Sequence, residues 1–211
     1  EFVARLGLPI MLSTGASSIK EIDKAVETVF NQNNYQLILL ACTLSYPTHS
    51  ADANLLRIQT LKERYPGMII GLSDHTKPDQ SMIIPSIGVA LGAKIIEKHY
   101  TLDCSMTGSG HFFAVNPDNL RKMVNNIRLT ESVMGDGSLG IADSEKKAWE
   151  SARRSIVAKI DIPKGTIITK DHLGFKRPGS GISASKFSEI VGKKAISDIK
   201  EDQMIQHDLL K

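Results

Sequence analysis

The 211 residues carry 26 Lys and Arg against 23 Asp and Glu, with 41% apolar and 23% charged side chains. That usage fits a folded chain with room for one sizeable domain or two modest ones, and excludes a low-complexity or fibrous protein. Two cysteines, Cys42 and Cys104, are too few for a disulfide framework, no apolar run approaches the ~20 residues of a membrane helix, and no basic-then-apolar leader opens the sequence; a reducing cytoplasm is the expected compartment.

From residue 9 the chain alternates short apolar runs with amphipathic ones. "PIMLST" reads as a strand, and "SIKEIDKAVETVFNQ" as a helix whose Ile19, Ile22, Ala25, Val26 and Val29 share a face, capped by Ser17 or Ser18. "YQLILLACT" predicts the second strand, with Cys42 a small buried residue, "ADANLLRIQTLKERY" the second helix and "GMIIGLS" the third strand. "DQSMIIPSIGVALG" reads as a helix that Pro85 should kink or offset, "AKIIEKHYT" as the fourth strand, and "NPDNLRKMVNNIRLTESVMG" as a longer helix with Asn116 or Asp118 near its cap. "DGSLGIADSEKKAWE" breaks this rhythm and predicts a linker. Beyond it, short β-prone pieces, a "PKG" turn and one short helix around "ASKFSEIV" predict a small, mostly β domain. Residues 151–211 hold 12 Lys and Arg against 7 Asp and Glu, a basic excess suited to an anionic ligand or simply to a solvated surface.

Fully apolar strands separated by helices at regular intervals predict parallel β/α units, which carry their chemistry at the C-terminal strand ends. Four strands, opening in what reads as the end of a helix, predict an N-terminally truncated chain holding the second half of a (β/α)8 TIM barrel; a complete doubly wound domain is the alternative. The strand ends "STGAS", "CTLSYP", "SDHT" and "EKHYT" would then meet on one rim and collect Ser13, Thr14, Tyr46, Ser73, Asp74, His75, Glu97 and His99. Two neutral imidazoles on adjacent strand ends suit a divalent cation such as Mn²⁺, Zn²⁺ or Mg²⁺, but serve equally as acid–base or structural groups. Asp74 and Glu97 could orient those histidines, while Glu97 could instead pair with Lys94 or Lys98. The glycine loop "TGSGHFF" delivers His111, which either sits in solvent or closes over a substrate. "KRPGSG" presents Arg177 on a rigid turn that suits a carboxylate or amide, or is merely a surface turn.

The succession "STGAS", "CTLSYP", "GLSDHT", "GAKIIEKHYTLD" and "RRSIVAKIDIPKGTIIT", with "FKRPGSGIS" behind it, resembles the sialic acid synthase (N-acetylneuraminate synthase) family, with its C-terminal SAF (antifreeze-like) domain. The resemblance covers almost the whole chain and implies residues 1–135 as half of the catalytic barrel, 136–152 as linker and 153–211 as SAF domain. It implies a metal-dependent synthase that condenses phosphoenolpyruvate with an N-acylated hexosamine such as N-acetylmannosamine. His75 and His99 would be the ligands of Mn²⁺ or Mg²⁺, and together with Glu97 the catalytic groups. The resemblance places the hydroxyls of Ser13, Thr14 and Ser73 at the phosphate end and Tyr46 and Glu97 on the substrate side, with Asp74 and His111 counted among the substrate-binding residues. It further implies a homodimer in which Arg177 reaches the partner's sugar N-acyl group, with neither nucleic acid nor membrane as a partner.

The sequence departs from that pattern at Leu44, where the family carries a polar side chain, and at Gly110, where it carries an acid. The family's first four barrel strands have no counterpart here, so this portion alone is expected to be inactive. Two other readings stand beside the synthase: another metal-dependent aldolase barrel, and a non-catalytic carbohydrate- or ice-binding SAF module on a degenerate half barrel.

Overall fold

A computed structural model describes residues 1–211 as two compact units, residues 1–137 and 138–211. In the first, β1 (Ile10–Ser13), β2 (Leu37–Cys42), β3 (Ile69–Asp74) and β4 (Ile96–Lys98) form one parallel sheet in sequential order. Between and after them run α1 (Ile19–Phe30), α2 (Arg57–Arg64), α3 (Ile84–Ala90) and α4 (Pro117–Met134).

One face of this sheet is apolar and covered by helices. Ile22 and Val26 of α1 and Ile58 and Leu61 of α2 bury against Leu39, Ile70 and Leu72, each side chain contributing about 1.5–3 kcal/mol when removed from water. The other face carries Met11 and Ile69, 61% and 48% exposed, toward its N-terminal end and polar groups toward its C-terminal end. A doubly wound sheet reverses its strand order and covers both faces with helices. Sequential parallel strands with one covered face are instead half of a (β/α)8 barrel.

Local chemistry sets the element ends. Ser18, not Ser17, caps α1: its hydroxyl oxygen accepts the Glu21 N–H, and the Glu21 carboxylate accepts first from the Ser18 hydroxyl and then from the Ser18 N–H, two bonds that hold that carboxyl below its usual range. Asn116 caps α4, accepting the Asn119 N–H at 2.9 Å, with Pro117 in the first turn. One expectation changes and another narrows. The second helix starts at Arg57 rather than in the fifties' first residues, because Asn54 adopts a left-handed φ of 43° that interrupts the run. Pro85 offsets its helix rather than kinking it: α3 begins at Ile84 with Pro85 in its first turn, where a missing N–H removes no intrahelical bond.

The second unit opens with α5 (Lys146–Ala152), so the stretch expected to be linker ends in a short helix. β5 (Ser155–Ala158) pairs antiparallel with β6 (Leu173–Lys176), and α6 (Phe187–Ile190) follows. Ile156, Ile162, Ile168, Ile190, Ile199 and Ile205 form its core, stitched by isolated bridges rather than long strands.

Gly71 on β3 lies between Leu40 of β2 and Ile95, the residue before β4. A Cβ there would lie 2.5 Å from Leu40 Cδ2 and 2.7 Å from the Ile95 carbonyl oxygen. Gly71→Ala is therefore expected to destabilise the first unit by about 1–3 kcal/mol, read as a lower urea midpoint with an unchanged slope.

Candidate metal centre at the strand ends

The register of the sheet sets the site. Cys42, Ser73 and Glu97 are Cα partners across β2, β3 and β4, so their side chains leave the same face side by side. Two residues further along β3 and β4, His75 and His99 leave that face again. The result is an open cleft of about 260 Å³ whose lining includes Ser13, Tyr46, Ser73, His75, Glu97 and His99. Ligand atoms of His75, Glu97 and His99 all lie within 4.8 Å of one another. Two imidazoles and a carboxylate at that spacing fit a divalent cation of the Mn²⁺, Mg²⁺ or Zn²⁺ kind, with room left for water or substrate oxygens.

His75 is the buried member, 6% exposed. Its Nδ1 lies 3.1 Å from the Thr43 carbonyl oxygen. A carbonyl only accepts, so Nδ1–H donates to it, leaving Nε2 as the free lone pair. The Tyr46 ring covers His75 at 4.4 Å between centroids, and His75 and His99 meet edge to face at 5.2 Å. Phe113 packs on His99 at 4.9 Å. Glu97 accepts a short hydrogen bond from the Ser73 hydroxyl and pairs with neither Lys94 nor Lys98.

Strand alternation removes two residues from the expected rim. Thr14 follows Ser13 and turns to the helix side, where its hydroxyl donates to the Leu40 carbonyl at 3.0 Å. Asp74 lies between Ser73 and His75 and also turns away; it is buried against Lys98 Nζ at 2.7 Å. Ser13, Tyr46, Ser73, His75, Glu97 and His99 are brought together as expected, whereas His111 lies in the loop after β4. Its Nδ1 is hydrogen-bonded to Thr101 Oγ1 at 2.7 Å, and that hydroxyl also lies 3.0 Å from the Asp103 carbonyl oxygen. Arg177 belongs to the second unit, just after β6.

Three contributors were missed from the sequence. Cys42, read as a filler, lines the cleft with Sγ 3.8 Å from His75 Nδ1. Its alignment with Ser73 and Glu97 through a shared register was the signal that would have found it. The Thr43 carbonyl that orients His75 and the Phe113 ring behind His99 left no trace in residue type or spacing.

A parallel half barrel with a His–Glu–His cluster at its C-terminal rim, followed by a small β unit, defines a class of barrel proteins with a separate C-terminal module. Residues 1–139 match the model of the NeuB family and residues 153–211 that of the SAF domain. The chain belongs to the NeuB family and ends in a SAF domain. It is 44% identical over 99% of its length to an uncharacterised protein of Methanocaldococcus jannaschii, and 38% identical over 97% to the N,N'-diacetyllegionaminic acid synthase of Campylobacter jejuni. A solved spore coat polysaccharide biosynthesis protein E of Chromobacterium violaceum superposes with a TM-score of 0.79 at 28% identity, over 99% of this chain and 62% of that one. The chain spans 60% of the length of both of the first two relatives. No helix is long and apolar enough to cross a membrane.

Burial pushes the Cys42 thiol above its usual range, and Cys104 is less buried. Because the thiolate is the reactive form, a raised pKa keeps Cys42 protonated and unreactive at pH 8. Titration of the native chain with a chromogenic disulfide at that pH is expected to show one fast thiol, Cys104, and one that appears only on unfolding.

Proposed function

We propose that this chain carries the metal and aldehyde side of a nonulosonic acid synthase, an enzyme that condenses phosphoenolpyruvate with an N-acylated hexosamine such as N-acetylmannosamine. The observation that carries the reading is the His75–Glu97–His99 cluster at the barrel rim of a NeuB-family chain. The synthase named among its relatives supports it. The overall reaction joins C3 of phosphoenolpyruvate to the aldehyde carbon, adds water at C2 and releases phosphate by cleavage of the C–O bond.

A divalent cation, Mn²⁺ or Mg²⁺, held through His75 Nε2 and His99 would supply Lewis-acid polarisation of the open-chain aldehyde. The chain's own groups do the rest. The Thr43 carbonyl keeps His75 in one tautomer, and Tyr46 and Phe113 fix the planes of the two imidazoles. Glu97 lines the cleft and is oriented by Ser73; in this reading its carboxylate serves the sugar side as a proton acceptor. Ser13 offers a hydroxyl to an anionic oxygen at the opposite end. In this reading the protein is a cytoplasmic homodimer, residues 136–152 join barrel to SAF domain, and Arg177 of that domain contacts the N-acyl group. The exposed Leu44 on the cleft wall favours a second reading, carbohydrate binding without turnover.

Phosphate release from phosphoenolpyruvate, measured with Mn²⁺ and a panel of N-acylated hexosamines on the gene product that contains this chain, separates the two. Turnover with at least one sugar is expected. His75→Ala is expected to lower it about 100-fold or more, since several kcal/mol of charge stabilisation are lost at ~1.4 kcal/mol per factor of ten. Metal binding without turnover on any sugar would sink the synthase reading and leave the binding one.

A further inference from the structure

The one fully buried ion pair lies directly behind the two histidines. Asp74 precedes His75 on β3, Lys98 precedes His99 on β4, and their side chains are only 2% and 3% exposed. Lys98 Nζ has three protons and three oxygen partners. It donates to Asp74 Oδ2 at 2.7 Å, to the Asp74 carbonyl at 3.3 Å and to the Thr76 carbonyl at 2.7 Å. Those two carbonyls stand on either side of His75. The carbonyl of His75 itself accepts the Thr48 N–H at 2.9 Å. Asp74 Oδ1 closes the turn by accepting the Thr76 N–H at 2.9 Å and the Thr76 hydroxyl at 2.7 Å.

We infer that Lys98 is a positioning residue for the metal centre: from the strand that carries one histidine it grips the backbone on both sides of the other. The inference rests on the reading of His75 and His99 as metal ligands. Three successive carbonyls, 74 to 76, are each tied to a donor outside β3, so the peptide planes that aim the His75 side chain have no freedom to swing. The donor for the outer two is rooted next to His99. A shift of β4 against β3 therefore moves both imidazoles together, and their separation is held by the ammonium rather than by the sheet ladder, whose last paired residues are Asp74 and Lys98. A point ammonium suits this role because its three protons diverge toward three separate oxygens, while a planar guanidinium directs its donors in one plane.

The test is Mn²⁺ affinity, read from the paramagnetic resonance of the free ion, on the gene product that contains this chain. The double variant Asp74→Asn/Lys98→Met removes the pair without leaving a lone buried charge, and Lys98→Arg keeps the charge while losing the three-way grip. Each is first shown by thermal unfolding to be folded at the assay temperature. Both are expected to raise the Mn²⁺ dissociation constant about 10- to 100-fold, the usual effect of removing a group that orients a ligand. Folded variants that bind within about two-fold of the parent overturn the positioning role and leave the metal site standing, because that change falls below the range such groups produce. A parent that binds no Mn²⁺ overturns the metal reading itself, and this role with it. Loss of the fold in both variants also overturns the role, since the pair then serves folding rather than ligand spacing.

Discussion

The site depends on the two-residue alternation of β3. Along "IIGLSDHT" Ile70 and Leu72 turn to the helices and Asp74 follows them, while Gly71, Ser73 and His75 face the cleft. A slip of one residue would bury His75 beneath α2 and push Asp74 into the cleft, so register and chemistry are the same constraint. Two features hold it. Gly71 leaves no room for a side chain unless Leu40 or the Ile95 backbone shifts, and the helix-side leucines and isoleucines leave apolar surface exposed in any other register.

The polar end of the helix-facing side is where this constraint is most costly. Burying an ammonium and a carboxylate costs several kcal/mol each in desolvation, and their attraction offsets this only when every remaining proton and lone pair finds a partner. Lys98 and Asp74 meet that condition through Thr76 and the backbone. A pair of that kind adds little net stability over apolar side chains of equal volume. Its particular effect is geometric, since a charge buried in one arrangement strongly disfavours every other. The two residues that make it are sequence neighbours of the two imidazoles, which puts the most restrictive contact of the unit next to the groups that need fixed spacing.

Much of this was legible in the sequence because the determining signals are local. Four apolar runs and four amphipathic ones gave the strands and helices, and the strand ends gave His75 and His99. The ambiguities are local as well: Pro85 signals a kink as readily as a displaced helix start, and Asn54 gives little warning of its left-handed backbone. Thr14 and Asp74 share their motifs with rim residues, but a strand sends sequence neighbours to opposite faces. The Thr43 carbonyl, the Phe113 ring and the reach of Lys98 Nζ around His75 come from tertiary placement and could not be read from residue order.

The charge of the cleft limits what its residues do unaided. Its lining offers two imidazoles, a carboxylate, two serine hydroxyls, the Tyr46 ring and apolar Leu44, without a lysine or arginine. Neutral nitrogens beside an acceptor-only carboxylate suit a cation. A phosphate and carboxylate on one small substrate are another matter. Serine hydroxyls in a cleft open to water exchange one hydrogen-bond partner for another with little net gain, and Glu97 repels anions brought near it. On the proposed reaction, binding a doubly anionic substrate would therefore need positive charge from outside this cleft, through the cation itself and through groups on surfaces that enclose it. The uncovered sheet face, with Met11 and Ile69 exposed below the polar rim, offers a surface against which such an enclosure could pack. Excluding water there would strengthen each of the polar contacts already in place, so the groups on this chain gain most of their chemical force only when that face is covered.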